Sequence, residues 1–252
     1  MKYLKLSAIL ILFIIAFNPL KSTAQEQEDI GNEYRITLFP SHKVTEKVGG
    51  FGYLGYVWNP EKDYQTYYLG WPCATYTPKK WVQLWGGLIG VFTDNENKAN
   101  QLELRPFAGV KLFLPNKINW NIYNFTRYEY RALQDGETKD WNNYSRLRIR
   151  FGVEMPFSKK EKAWQPGQFY GLVDAEPYIR FDKGLVDPLR IRGGIGYIMK
   201  SAPIRLEFIY HAQYTNPDGS GLRYTDNIYR LNIKLGIHKG ILGSLYNPDL
   251  DD

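Results

Sequence analysis

Between Tyr144 and Met155 the chain alternates without a break. Leu147, Ile149, Phe151, Val153 and Met155 fall on one face of an extended strand, and Arg146, Arg148, Arg150 and Glu154 fall on the other. In a water-soluble sandwich the polar face would be outermost and tolerant, and no neighbouring strand would need to copy it. Here other segments do copy it. Leu102, Leu104, Ala108, Val110, Leu112 and Leu114 oppose Glu103, Arg105 and Lys111, and Ile204, Leu206, Phe208, Tyr210 and Tyr214 oppose Arg205, Glu207, His211 and Gln213. Val173, Ala175, Ile179 and Phe181 oppose Asp174, Glu176, Tyr178 and Arg180, while Tyr229, Leu231, Ile233, Leu235 and Ile237 oppose Arg230, Asn232 and Lys234. Apolar outward and polar inward is the pattern of a membrane β-barrel, where a charge facing lipid costs about 2–4 kcal/mol at mid-bilayer.

The start of the chain fits that destination. Lys2 and Lys5 precede an apolar run from Ala8 to Phe17, and small residues follow at Ser22-Thr23-Ala24. This predicts a secretory signal peptide over 1–24, because the run falls short of the ~20 residues a transmembrane helix needs. Without Lys2, Lys5 and Lys21 the basic count falls from 32 to 29 against 26 acids, a net charge of +3. Half of the apparent basicity thus lies in the leader, and a nucleic-acid partner is not expected. Cys73 is the single cysteine, which excludes an intramolecular disulfide and a cysteine metal cluster.

Strand-like segments recur over 48–58, 63–76, 80–93, 100–114, 117–131, 141–156, 168–182, 187–200, 203–216 and 226–238, separated by turn formers such as Pro115-Asn116 and Asp218-Gly219. The expected fold is all-β: an antiparallel up-and-down transmembrane β-barrel of about 10–12 strands. The organisation is a signal peptide (1–24), an N-terminal segment with one short strand (25–47), a barrel (48–239) and a C-terminal tail (240–252). Ten strands satisfy the usual even count, which leaves the short candidate Tyr34 to Phe39 outside the barrel or lacking a partner. The connection 157–167 is long for a turn. The 20 Tyr, 13 Phe and 7 Trp suit interfacial belts, and Trp58, Trp81, Trp120, Trp141 and Trp164 fall at strand ends or in loops, with Trp85 a mid-strand exception.

Two motifs invite other readings. Gly50-Phe-Gly52-Tyr-Leu-Gly55 matches a dinucleotide fingerprint, but that chemistry needs a helix opening directly after it, and Tyr56-Val-Trp-Asn-Pro60 reads as strand then turn. Strand glycines that make room for bulky neighbours explain it better, as they do Gly193-Gly194-Ile-Gly196. His211 has inward parity and is the weak candidate for catalysis; the most suitable strand serine, Ser145, has outward parity, and no Gly-x-Ser-x-Gly elbow is present. No cofactor or metal is expected.

The inward charges form the main constellation. Parity places Arg105, Lys111, Arg127, Glu129, Arg131, Arg146, Arg148, Arg150 and Glu154 on the lumen, followed by Asp174, Glu176, Arg180, Arg190, Arg192, Arg205, Glu207, Arg230 and Lys234. Bases outnumber acids. Either the side chains interlock as a plugged structural core, or water hydrates the surplus in a narrow passage that prefers anions. A membrane-embedded lipid-modifying enzyme using His211, and a soluble secreted β-barrel holding an apolar ligand, are the alternatives.

The blocks Asn124-Phe-Thr-Arg-Tyr-Glu-Tyr-Arg131, Arg146-Leu-Arg-Ile-Arg-Phe-Gly-Val-Glu154, Glu176-Pro-Tyr-Ile-Arg-Phe-Asp182, Arg192-Gly-Gly-Ile-Gly-Tyr197 and Asp226-Asn-Ile-Tyr-Arg-Leu-Asn-Ile-Lys-Leu-Gly236 resemble the domain-of-unknown-function 2490 (DUF2490) family. That resemblance implies an outer-membrane-type barrel of a Gram-negative bacterium, with no established activity and no catalytic residues to carry over. Expected partners are membrane lipid, the outer-membrane insertion machinery and a small anionic solute, with the chain monomeric. Barrels of this type commonly end in an aromatic; this chain runs on to Leu250-Asp-Asp252, a departure that leaves two alternatives, an internal insertion signal or a chain that does not insert in that way.

Overall fold

A computed structural model describes residues 30–236 apart from 63, 97, 160–162 and 217–218. The expected leader and tail lie outside these residues. The described chain holds eleven strands and no helix: β1 (Gly31–Lys43), β2 (Val48–Asn59), β3 (Tyr64–Lys79), β4 (Val82–Asn95), β5 (Gln101–Leu114), β6 (Asn121–Gln134), β7 (Trp141–Pro156), β8 (Phe169–Arg180), β9 (Leu185–Ile198), β10 (Ile204–Thr215) and β11 (Arg223–Gly236). Each strand pairs antiparallel with its sequence neighbour, and β1 pairs with β11 to close the barrel.

The eleven strands fall within the expected 10–12, and the closure corrects one boundary: the wall begins at Gly31 rather than residue 48. The segment expected to stand apart carries a full strand, with Glu33, Arg35 and Thr37 inward and Tyr34 and Ile36 outward. An odd count closes because the last pair is parallel: Gly31–Ser41 runs beside Asp226–Gly236 in unbroken register. Ser41 Oγ also donates to the Leu235 carbonyl at 3.0 Å. The wall therefore starts at one end of the barrel and finishes at the other.

The outward face is layered. Around the end where β1 begins, aromatic rings touch across strands: Trp58 on Tyr34 at 5.5 Å, Tyr34 on Tyr229 at 5.5 Å and Tyr229 on Tyr210 at 5.7 Å. Tyr56, Tyr67 and Phe92 continue the row, with centroids 5.4 and 6.4 Å apart. The other end carries Trp71, Tyr76, Trp81, Phe157 and Phe169 in exposed positions. Between the two rows lie exposed aliphatic and phenyl groups, among them Ile36, Leu54, Leu69, Phe151, Ile195 and Phe208. Asn124 and Thr126 are polar exceptions on this face: the Thr126 hydroxyl donates to the Asn124 side-chain oxygen at 3.0 Å, and the Asn124 amide donates to the Arg150 carbonyl at 3.3 Å.

The glycine motifs are explained by contact. Gly52 sits at the bulge in β2, where an added Cβ would lie 3.1 Å from Cγ of Pro40 on the neighbouring strand. A Cβ at Gly50 would press on the His42 ring, so the run is strand packing and opens no helix. Gly196 faces inward beneath Tyr170, and a Cβ there would stand 2.1 Å from the ring. Because Tyr170 is fully buried and bonds Glu207 at 2.7 Å, it has nowhere to retreat. Gly196→Ala is expected to destabilise the barrel by about 1–3 kcal/mol through overpacking, read as a lower urea midpoint than wild type.

Candidate functional site

Eleven strands fall between the roughly eight whose interior side chains can fill and the roughly sixteen that leave an open channel. The interior is accordingly part filled, and a cavity of about 670 Å³ remains. Its lining runs from Asn95 and Gln101, near one end, to Thr45 and Lys47 in the β1–β2 connection at the other.

Two unlike walls enclose it. From β2 to β5 the inward groups are largely apolar: Phe51, Cys73, Ile89, Val91 and Phe107 form a buried cluster, with Tyr53, Tyr68 and Trp85 packed on it. Trp85, the mid-strand exception, points inward, edge-on to Phe51 at 4.8 Å and near Phe125 at 5.4 Å, and its indole N–H donates to Gln83 at 2.9 Å. From β5 onward the wall is charged. The halves meet where the Arg127 guanidinium lies 5.1 Å over the Phe107 ring.

The charged half is organised by a few carboxylates. Glu129, fully buried, accepts from Arg146 at 2.6 Å and Arg148 at 2.9 Å, and also pairs with Arg127. Glu176 accepts from Arg148 at 2.8 Å and Arg150 at 2.9 Å, with Arg192 at 3.8 Å. Glu103 takes a two-pronged contact from Arg105 at 2.8 and 2.9 Å and pairs with Arg131. Glu207 gathers Tyr170, Asn232 and Lys234 at 2.7, 2.9 and 2.5 Å. Tyr178 is a second kind of hub: guanidiniums of Arg146, Arg148 and Arg190 stack on its buried ring at 4.9, 4.4 and 4.9 Å. A guanidinium shared between a carboxylate and a ring face is held more rigidly than one in water.

Of the side chains assigned to the lumen by parity, Arg105, Lys111, Arg127, Arg131, Arg146, Arg148, Arg150 and Glu154 line the cavity, as do Asp174, Arg190, Arg192, Glu207, Arg230 and Lys234. Four others do not line it. Glu129, Glu176 and Arg205 are buried inside the network, and Arg180 sits at the rim, bonded to Asp182 at 2.6 Å and stacked on Tyr144 at 4.2 Å. Asp182 follows the end of β8, and the Arg180 guanidinium holds its carboxyl below the ordinary carboxylate value.

His211 is buried at 1% exposure, and both ring nitrogens lack a hydrogen-bond partner among the described residues. It meets no serine: Ser145 faces outward and bonds Tyr128 at 2.7 Å.

Three features were not found in the sequence. Glu33 and Arg35 pair on the inner face of β1, although their alternation with Tyr34 and Ile36 was visible. The apolar half of the wall was hidden because β3 and β4 are apolar on both faces, so alternation there does not say which face is inside. Trp164, expected in an interfacial belt, is instead buried inside one end of the barrel. It packs on Tyr170 at 5.4 Å, and its N–H donates to the Asn119 carbonyl at 2.9 Å. With Tyr170, Leu172, Ile198 and Ile209 it forms a second apolar cluster that fills the barrel on the β8–β10 side. That accounts for the length of the β7–β8 connection.

A family model described as a protein of unknown function (DUF2490) matches residues 36–223. No curated protein and no solved structure matches the chain.

Glu129→Gln strips the charge partner from three guanidiniums held at a fully buried site. It is expected to lower unfolding free energy by about 3–5 kcal/mol, measured by urea titration of intrinsic tryptophan fluorescence. The solvent-facing Glu137→Gln is expected to change little.

Proposed function

This chain belongs to the DUF2490 family of proteins of unknown function, and from its wall and cavity together we propose that it is a monomeric outer-membrane β-barrel carrying a narrow passage that prefers anions. The observation that carries the reading is the opposition of the two faces. An apolar band edged by aromatic rows at both ends faces out, and arginine and lysine side chains face a cavity lined along the barrel's length. In water an outer band of this kind would be an aggregation surface; in a bilayer it is the required contact, with Tyr and Trp at headgroup level. Membrane lipid is then the immediate partner, and the outer-membrane insertion machinery delivers the leader-processed chain.

Inside, low dielectric and excess positive charge repel cations and draw anions. The narrow bore and the apolar β2–β5 wall limit passage to small solutes. A water-soluble barrel holding an apolar ligand would account for the apolar inner wall but leaves the outer band without a role. For a lipid-modifying enzyme, no hydroxyl nucleophile accompanies His211 among the described residues.

Fractionation of native cells is expected to recover the protein with outer membranes, as a band that shifts between unheated and boiled electrophoresis samples. A soluble, non-shifting protein would remove the membrane assignment. In planar bilayers of potassium chloride the purified barrel is expected to give small conductance steps, with a reversal potential favouring chloride. Lys111→Gln should move that potential toward zero, and a folded protein that stays silent sinks the passage. Phe208→Arg, which puts a charge on the outward band, is expected to destabilise the bilayer-inserted protein by about 2–4 kcal/mol.

A further inference from the structure

The wall from β9 to β1 holds more positive charge than a structural network needs. Arg190 and Arg192 face inward from β9, His211 from β10 and Arg230 from β11. Arg230 stands directly beside Arg35 in the parallel ladder, and Arg192 stands directly beside His211. The paired like charges of Arg230 and Arg35 repel. Some of this charge is answered: Arg35 pairs with Glu33, and Arg192 with Asp174.

The rest is not. Among the described residues Arg190 and Arg230 have no carboxylate within ion-pair distance; Arg190 bonds only the neutral groups of Gln213 at 2.7 Å and Tyr178 at 2.6 Å. Among the described residues the donors Nε of Arg230 and Nη2 of Arg192 are buried with no hydrogen-bond partner, and the neighbouring His211 ring also bonds to none. Buried donors are ordinarily satisfied, and a cluster of unsatisfied ones beside a cavity marks a place for a missing acceptor.

The same cavity supplies the other half of a ligand. The Arg230 guanidinium lies 5.8 Å over Phe39, whose ring meets Tyr53 at 5.1 Å, and Tyr53 packs on the apolar cluster of Phe51 and Phe107. A path of rings thus leads from the cationic corner to the apolar wall. About 670 Å³ is a small-molecule volume, within the roughly 300–1,000 Å³ of ordinary ligand sites. The cavity's ends are lined by polar groups such as Asn95, Gln101, Thr45 and Lys47, so entry is from water.

We propose that Arg190, Arg192 and Arg230 bind the carboxylate of a small aromatic organic acid whose rings lie against Phe39, Tyr53 and Phe51. This deepens the anion-passage reading by naming the class of solute, and it rests on that reading only for how the solute arrives.

The test is calorimetric titration of the purified full chain in non-ionic detergent with 2-naphthoate, the uncharged 2-naphthylmethanol and inorganic phosphate. Saturable one-to-one binding of naphthoate is expected, at least about tenfold tighter than either comparator. Arg230→Gln and Arg190→Gln, each checked for the heat-shifted band of the folded barrel, are expected to weaken naphthoate by about tenfold. The alcohol or phosphate binding as tightly as naphthoate would overturn the proposal, and that comparison needs no variant. So would naphthoate affinity unchanged in both variants. Conductance is recorded separately: a conducting barrel that ignores naphthoate overturns the site alone, whereas a silent barrel that binds it supports the site and overturns the passage.

Discussion

The whole architecture depends on closure, because an open sheet leaves a row of backbone N–H and C=O groups unpaired at each edge and a closed barrel leaves none. Here closure falls on one parallel seam, β1 against β11. Every other strand pair is joined by a local connection, whereas the seam unites the two ends of the wall across nearly its whole length in sequence. It also sets the interior, because β1 brings Glu33, Arg35 and Phe39 to the face where Arg230 stands. Without β1 the cationic corner would be an open edge.

Closure at eleven strands leaves room inside, and two different solutions occupy it. On one side rings and aliphatic groups pack as an ordinary core. On the other, a few carboxylates each hold several guanidiniums, and Tyr178 stacks more of them. Neither solution would suit the whole barrel. A fully apolar filling would exclude water and solute, and a fully charged one would need acids that the inner face lacks. The cavity survives where the two meet, and that junction makes it amphipathic. Trp164 fills part of the interior on the β8–β10 side near one end.

Much of this was legible in the chain. The alternation in β5, β7, β8, β10 and β11 is clean because each of those strands puts charged groups on one face and apolar groups on the other. Thus Arg146, Arg148 and Arg150 fall inward together on β7, as their spacing implies. Strand β1 carried the same signal at Tyr34, Arg35 and Ile36, but the habitual even count of antiparallel barrels argued against it; a parallel last pair removes that constraint. Strands β3 and β4 gave no clear face, since Tyr67, Tyr68, Leu88 and Ile89 are all apolar or aromatic and only packing tells which lie inside.

The sequence by itself determined the fold class, the two-faced wall and the inward direction of most of its charges, because a period of two is a local property and each residue's face follows from its neighbours. Only the tertiary structure decided the parallel seam, the burial of Trp164, the sharing of Glu129 among Arg127, Arg146 and Arg148, and the absence, among the described residues, of a carboxylate partner for Arg190 and Arg230. Those depend on which strands become neighbours around a closed ring. Ion pairing is set by the few ångströms between side chains far apart in the chain, and no spacing along the sequence encodes that distance.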